Sequence, residues 1–318
     1  MELVLSTFGT TLGVDNGNFV VRQSGTQQSI PAADVSSIQI SRGSGITSDA
    51  VILAVGNEIP VVFVDKRGMP IGRIWSSKYG SISTIRKGQL NFSSGHKAVL
   101  WICDVICRKI QNQQALIIAF NARSGGTTTD AIDTVLRRLE RYAQKVSNLT
   151  SSESVRDIAS VLRGYEGNAS KIYFEALNQF LPTGLRINGR SQNPASDPLN
   201  AMLNYGYGIL YGRIEGALIK SGIDPYIGIL HRDEYNRPVL VYDIIELFRI
   251  WIDYVVYHLA QSQVLTDDCF SRRSDGSCWL EGLGRRILIQ SVNDYMEEHF
   301  MTAPVVATTL IFYGLLFI

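Results

Sequence analysis

The sequence predicts an α+β protein, a small β-rich N-terminal domain followed by a larger all-α domain, and three observations carry that prediction. Residues 1 to about 75 break into short runs rich in β-branched and aromatic residues, separated by turn formers. From His96 the apolar spacing becomes that of a helix. Between the two, SSKYGSISTIRKGQLNFSSGHK is rich in Ser, Gly and Lys and poor in large apolar residues, the composition of a connection. The boundaries are residues 1–76 for the β-rich domain, 77–97 for the connection and 98–318 for the helical domain. A chain of 318 residues is long for one core and ample for two.

In order, ELVLS, TTLGV, NFVVRQ, DVSSIQIS, IPVVFVD and PIGRIW read as strands, and Asn16-Gly17 is a hairpin signal between two of them. TSDAVILAVGNE breaks the pattern as a helix starting at Thr47 or Ser48. This domain holds no catalytic constellation, so it positions, dimerises or binds. In the connection, Lys78, Arg86 and Lys87 form a modest basic cluster on what reads as a solvated linker. HKAVLWICDVICRKIQNQQALIIAF is then helical over about six turns, ARSGGTTT breaks it, and TTDAIDTVLRRLERYAQKV forms the next helix. Thr150 with Glu153 offers a capping box for ESVRDIASVLR. Glu166, flanked by Gly164 and Gly167, is expected at a break between two helices, with Asn168 capping the second.

Composition narrows the function. The chain has 30 Lys and Arg against 29 Asp and Glu, a net charge of +1, so any contact with DNA must come from local patches. The four cysteines contain no CxxC pair, and Cys103 and Cys107 are one helical turn apart, which predicts reduced core thiols. The N-terminus lacks the basic-then-apolar order of a signal peptide, so the expected location is the cytoplasm. The final stretch, MTAPVVATTLIFYGLLFI, is apolar and without flanking positive charge, which argues against a membrane span and for an altered end that packs against a partner or becomes an aggregation liability.

One run stands out chemically. VLVYDIIELFRIWIDYVVYHL is apolar on nearly every side, the pattern of a helix buried all round, yet Asp243 and Glu246 interrupt it three residues apart and would share one face. Buried carboxylates survive by neutralising, by pairing with a cation or by holding a metal. Arg249 stands three residues after Glu246, so an intrahelical ion pair accounts for that carboxylate alone. The other reading joins Glu246 to Glu166 and His231. Two carboxylates and one imidazole suit Mg²⁺ or Mn²⁺, whereas zinc would want more nitrogen or sulfur.

GYEGNASKIYF, GLRINGR, DPLNAMLNYGYGILYGRIEGALIKSGIDPYIGILH and VYDIIELFR, taken together in this order, resemble the CRISPR-associated integrase and endonuclease that captures new spacers, the Cas-one family. The likeness runs from about His96 to about Glu298, and FGTTLGV suits the family's opening domain. The resemblance implies metal ligands at Glu166, His231 and Glu246, with Asp243 supporting them. It matches Tyr211 to a tyrosine near the active site, and Arg186, Arg190 and Asn200 to positions along the DNA path. Arg163, Lys171, Arg232 and Arg237 lie close to the ligands in sequence and are added as phosphate contacts. It further implies Mg²⁺ or Mn²⁺ as cofactor, double-stranded DNA as substrate (protospacer and CRISPR repeat), and a homodimer working with the small Cas-two protein. The apolar C-terminus departs from the basic helix that usually closes the family's chains. Two other classes remain open: a transposon-borne integrase of the same kind, and a non-catalytic DNA-binding scaffold.

Overall fold

The computed structural model describes residues 1–65, 70–74, 82–123, 125, 130–192, 194–220, 223–232 and 237–302. They form two compact units: one takes in the described residues of 1–85 with Gly216–Ile223, the other Arg86–Glu215 and the described residues from Asp224 onward.

The first unit is strand-rich. Strands β1 (Glu2–Leu5), β2 (Thr11–Asp15), β3 (Asn18–Gln23), β4 (Thr26–Pro31), β5 (Ser37–Ser41), β6 (Gly45–Ile46), β7 (Val61–Val64) and β8 (Pro70–Ile74) make two four-stranded sheets, ordered β1-β5-β7-β8 and β4-β3-β2-β6. Asn16 and Gly17 take φ of 50° and 77°, the left-handed values a two-residue hairpin turn requires, and β2 pairs antiparallel with β3 across them. Helix α1 (Ser48–Gly56) starts as expected, with the Thr47 side chain accepting from the Ala50 N–H at 3.2 Å. Leu3, Leu12, Phe19, Ile38, Ile40 and Ala54, from both sheets and the helix, close one core.

Strand β4 was not expected. Its sequence TQQSIP is polar at most positions and only Ile30 is buried, because it is an edge strand held by its backbone ladder to β3.

The second unit is mostly helical: α2 (Ile82–Ser94), α3 (His96–Arg123), α4 (Asp130–Ser147), α5 (Val155–Leu177), α6 (Pro198–Lys220), α7 (Val239–Ile245), α8 (Arg249–Gln261) and α9 (Gly282–Thr302), of which the first turn of α2 and the end of α6 from Gly216 count with the first unit. One short hairpin, β9 (Phe270–Arg272) with β10 (Cys278–Leu280), interrupts what was expected to be helix throughout. It is tied down where the Cys278 N–H donates to the Ala195 carbonyl at 2.8 Å.

Four local expectations are corrected. The stretch read as linker contains α2, held by polar bonds that leave no apolar stripe to see: buried Gln89 exchanges two 2.9 Å hydrogen bonds with the Asp224 backbone, and Arg86 pairs with the Asp224 carboxylate. Lys78 lies outside the described residues. The capping box of α5 is Ser154 with Asp157, since Thr150 bonds back to the Ser147 carbonyl at the end of α4. Helix α5 runs unbroken through Gly164 and Gly167, because Ile158, Leu162, Ala169, Ile172 and Tyr173 bury one continuous stripe that outweighs the roughly 1 kcal/mol each glycine costs. Asn168 therefore sits mid-helix, donating to the Gly164 carbonyl at 2.7 Å.

The fourth correction matters most for the site. The single helix expected from Val239 onward is two, α7 and α8, joined by a tight turn whose N–H groups reach back only three residues: Leu247 to Ile244 and Phe248 to Ile245. The turn separates Asp243 from Glu246, so the two carboxylates face different partners.

Cys103, Cys269 and Cys278 are buried and all four cysteines are free thiols. Burial, and to a lesser degree the neighbouring Cys107, pushes the Cys103 thiol up to about 11. Among the described residues no helix is long and apolar enough to cross a membrane. Of the apolar ending only Met301 and Thr302 are described, as the last turn of α9.

Candidate active site

Helix α3 carries Lys109, Asn112 and Gln113 on one face, at the i, i+3, i+4 spacing that points them the same way. Lys109 is buried, its side chain 8% exposed, and its ammonium contacts both Glu166 on α5 and Glu246 at the α7–α8 turn. Asn112 clamps that turn by donating to the Leu247 carbonyl at 3.1 Å. Ser170, one turn beyond Glu166, donates to Glu166 Oε1 at 2.9 Å. Arg249 Nε donates to Glu246 Oε1 at 2.8 Å, so the intrahelical-type pair foreseen from spacing is present but shares its glutamate with a second cation.

Charge decides the protonation here. Burial by itself would raise the Glu246 carboxyl, but Arg249 and Lys109 outweigh it and hold it down at about 2. Burial would likewise lower the Lys109 ammonium, and the two glutamates turn that shift upward. Glu246, Lys109 and Arg249 are therefore ionised at neutral pH. The Lys109 ammonium lies against Glu246 Oε2, so both oxygens of that buried carboxylate face a cation.

A cavity of about 250 Å³ opens beside this cluster, lined by Lys109, Glu166, Arg190, Tyr207, Glu246, Arg249 and Asp253 among others. Asp253 is buried and accepts hydroxyl hydrogen bonds from Tyr173, at 2.7 Å, and from Tyr207. The guanidinium carbons of Arg249 and Arg190 stand 4.5 and 5.5 Å from the centre of the Tyr207 ring.

His231 belongs to an adjoining cluster. Asp243, 1% exposed, accepts from the backbone N–H groups of Ile229, Leu230 and His231 at 2.6, 3.1 and 3.2 Å, and its Oδ1 lies 2.8 Å from His231 Nδ1. A buried carboxylate facing three backbone N–H groups needs no lysine or arginine beside it. In the neutral ring with Nδ1 donating to Asp243, the lone pair lies on Nε2. The turn is close at Gly228, where a Cβ would fall 2.1 Å from the His231 carbonyl oxygen and 2.8 Å from Val239. Arg163, three residues before Glu166 on α5, donates to the Leu230 carbonyl at 2.8 Å and so ties the His231 loop to the helix that bears Glu166.

The structure thus brings Glu166 and Glu246 onto one lysine and places His231 with Asp243. As the side chains stand, no three His, Cys, Asp or Glu among the described residues are grouped to hold a metal. The donor set nevertheless fits one. Two carboxylates on one cation are oxygen donors of the kind Mg²⁺ and Mn²⁺ take, and one imidazole nitrogen is compatible with them.

Tyr211 is nearly buried, with its hydroxyl 3.4 Å from the Pro238 carbonyl and its ring 5.2 Å from Tyr242, which in turn lies 5.8 Å from the His231 ring. Burial raises its phenol further above the usual range. Of the residues expected to meet DNA, most brace loops. Arg190 holds the Asn200 and Asn204 side chains, Arg186 the Leu181 carbonyl and Arg232 the Ile229 carbonyl. Asn200 is fully buried at the start of α6, bonded to Asp197 and the Gly189 carbonyl. Lys171, 4.0 Å from Glu175, and Arg237 lie at the surface.

Lys109 was missed by sequence reasoning, and a signal existed. It lies seven residues after Ile102, three after Ile106 and four before Gln113, on the stripe of α3 that is buried throughout.

Comparison with known proteins agrees with this architecture. A family model described as CRISPR associated protein Cas1 matches residues 3–294. The CRISPR-associated endonuclease Cas1 1 of Archaeoglobus fulgidus is 31% identical over 309 residues, 94% of this chain and 89% of that protein. Among solved structures, a CAS1 protein from Thermotoga maritima superposes with a TM-score of 0.72 at 21% identity, covering 98% of this chain and 96% of that one. A chain of a Cas6-RT-Cas1–Cas2 complex gives 0.70 at 20% identity, covering 98% of this chain and 35% of that longer one. The two structural likenesses speak for the fold, and the family model with the sequence identity speaks for descent: the chain belongs to the Cas1 family of CRISPR-associated proteins.

Proposed function

We propose that this chain is a divalent-metal-dependent DNA integrase and endonuclease that inserts protospacer DNA into a CRISPR repeat. The observation that carries the reading is the convergence of Glu166 and Glu246, from separate elements, on one buried cation. Glu166, Glu246 and Nε2 of His231 would hold Mg²⁺ or Mn²⁺. A divalent ion held there supplies neutralisation of phosphoryl charge and activation of the attacking oxygen. The chain's own residues do the rest. Asp243 fixes the His231 ring so that Nε2 offers its lone pair, and Arg249 keeps Glu246 ionised. In integration the 3′-hydroxyl of incoming DNA forms a new bond to a repeat phosphorus, and the old ester oxygen leaves as a hydroxyl. Water in place of the 3′-hydroxyl makes the same step a nuclease reaction. Tyr211, packed on Tyr242 beside His231, belongs to the wall of this site.

The partners are double-stranded DNA, a second copy of the chain and a Cas2 protein, the last supported by the complex in which a similarly folded chain was solved. The location is the cytoplasm, where free thiols persist. Incubated with its Cas2 partner, short DNA and a repeat-bearing plasmid, the protein is expected to join strands with Mg²⁺ or Mn²⁺, to stop in EDTA and to recover on adding the ion. Joining that continues in EDTA removes the metal from the reading, and no joining with any divalent ion leaves the scaffold reading instead.

Because the chain carries a net charge of +1, DNA is held by segregated basic side chains, and binding follows salt steeply. With about four phosphate contacts, affinity falls roughly 10²-fold between about 50 and about 200 mM salt, for any DNA sequence alike. A titration showing less than about threefold change would remove the phosphate-tracking surface from the reading.

A further inference from the structure

Among the described residues Lys109 is the one group that touches both carboxylates assigned above to a metal, and its surroundings describe a placeholder. Its side chain is 8% exposed, which leaves the ammonium little water, and its Nζ meets Glu166 Oε1 and Glu246 Oε2 together. Two ionised carboxylates brought this close repel one another in the absence of a cation, so something positive must stand between them for the site to exist before metal arrives. The grip on both glutamates is the attraction of a single positive charge, and a divalent ion offers each carboxylate twice that charge. The other holds on the two glutamates do not involve Lys109: Ser170 donates to Glu166 and Arg249 to Glu246. Both carboxylates would therefore stay in place if the ammonium withdrew. Beside it lies the cavity of about 250 Å³, lined in part by Asn112, Gln113 and Ser170, polar side chains that can receive an ammonium.

Resting on the metal reading above, we infer that Lys109 is a built-in counter-ion: in the metal-free protein its ammonium occupies the divalent site and keeps Glu166 and Glu246 together, and a divalent ion binds by displacing it. Lys109 is on this account a positioning residue that sets metal affinity, not a ligand and not a proton donor.

The test reads metal binding directly. Free Mn²⁺ is followed by electron paramagnetic resonance in titrations of the full chain, wild type against Lys109→Met, Lys109→Gln and Glu246→Gln. Both Lys109 variants are expected to bind Mn²⁺ more tightly by on the order of tenfold or more, having lost a competitor. Their metal-free thermal midpoints fall below wild type, and Mn²⁺ raises those midpoints by more than it raises the wild type's. Wild-type crystals soaked in Mn²⁺, a measurement that needs no variant to fold, are expected to show Nζ out of reach of at least one glutamate. Mn²⁺ affinity unchanged or weakened in the Lys109 variants, or Mn²⁺ bound with Nζ still on both carboxylates, overturns the counter-ion role alone. Mn²⁺ binding that survives Glu246→Gln overturns the metal reading itself.

Discussion

Glu246→Gln is expected to abolish strand joining while DNA binding stays within a few-fold of wild type. The substitution keeps the size of the side chain and one oxygen for Arg249, and removes the charge that faces Lys109 and that would draw in a divalent ion on the proposed reading. Charge stabilisation of a transferring phosphoryl group by a bound metal is worth several kcal/mol, on the order of 10³-fold in rate. His231→Ala is expected to fall as far, since it deletes the only ring nitrogen the Asp243 cluster presents. Gel-shift affinity separates the two functions, because phosphate contacts come from other side chains. Joining by Glu246→Gln at wild-type rate would reduce Glu246 to a structural partner of Arg249 and Lys109.

The largest loss of stability is expected from Asp243→Ala. It strands the N–H groups of Ile229, Leu230 and His231 beneath a side chain that is 1% exposed. Each orphaned buried donor costs about 1–3 kcal/mol, and partial relaxation of the loop brings the sum to roughly 3–5 kcal/mol. In a helical unit of this size that lowers the thermal midpoint by on the order of 10 °C in calorimetry. A shift under about 2 °C would mean that the 228–231 turn holds itself without the carboxylate.

Legibility in the sequence followed the kind of force involved. Apolar periodicity revealed α3 and most strands of the first unit, and the Asn16-Gly17 turn was readable because few residue pairs tolerate two positive φ values. Elements held by hydrogen bonds between polar groups left no such trace: β4 is a backbone ladder of exposed residues, and α2 is anchored by Gln89 and Arg86. The acids in the run after Pro238 were visible as an anomaly, and Glu166, His231 and Glu246 were named together through the family resemblance. What holds them was not visible. Asp243 is satisfied by backbone N–H groups, which every sequence has, and the turn between α7 and α8 arises where Asn112 of α3 caps the Leu247 carbonyl, a contact across 135 positions. Lys109 was legible in principle, as a cation on a buried stripe, and was passed over because one lysine scarcely disturbs an apolar pattern.

The cavity wall has an even electrical ledger: Lys109, Arg190 and Arg249 against Glu166, Glu246 and Asp253. A divalent ion entering alone leaves that wall with two surplus positive charges, and a phosphodiester entering alone leaves it with one surplus negative charge. Each arrival therefore lowers the cost of the other. Metal and DNA should bind with positive cooperativity, and the factor by which DNA strengthens metal binding must equal the factor by which metal strengthens DNA binding. On the metal reading, a protein so balanced would hold an ion weakly until a nucleic acid end is in place.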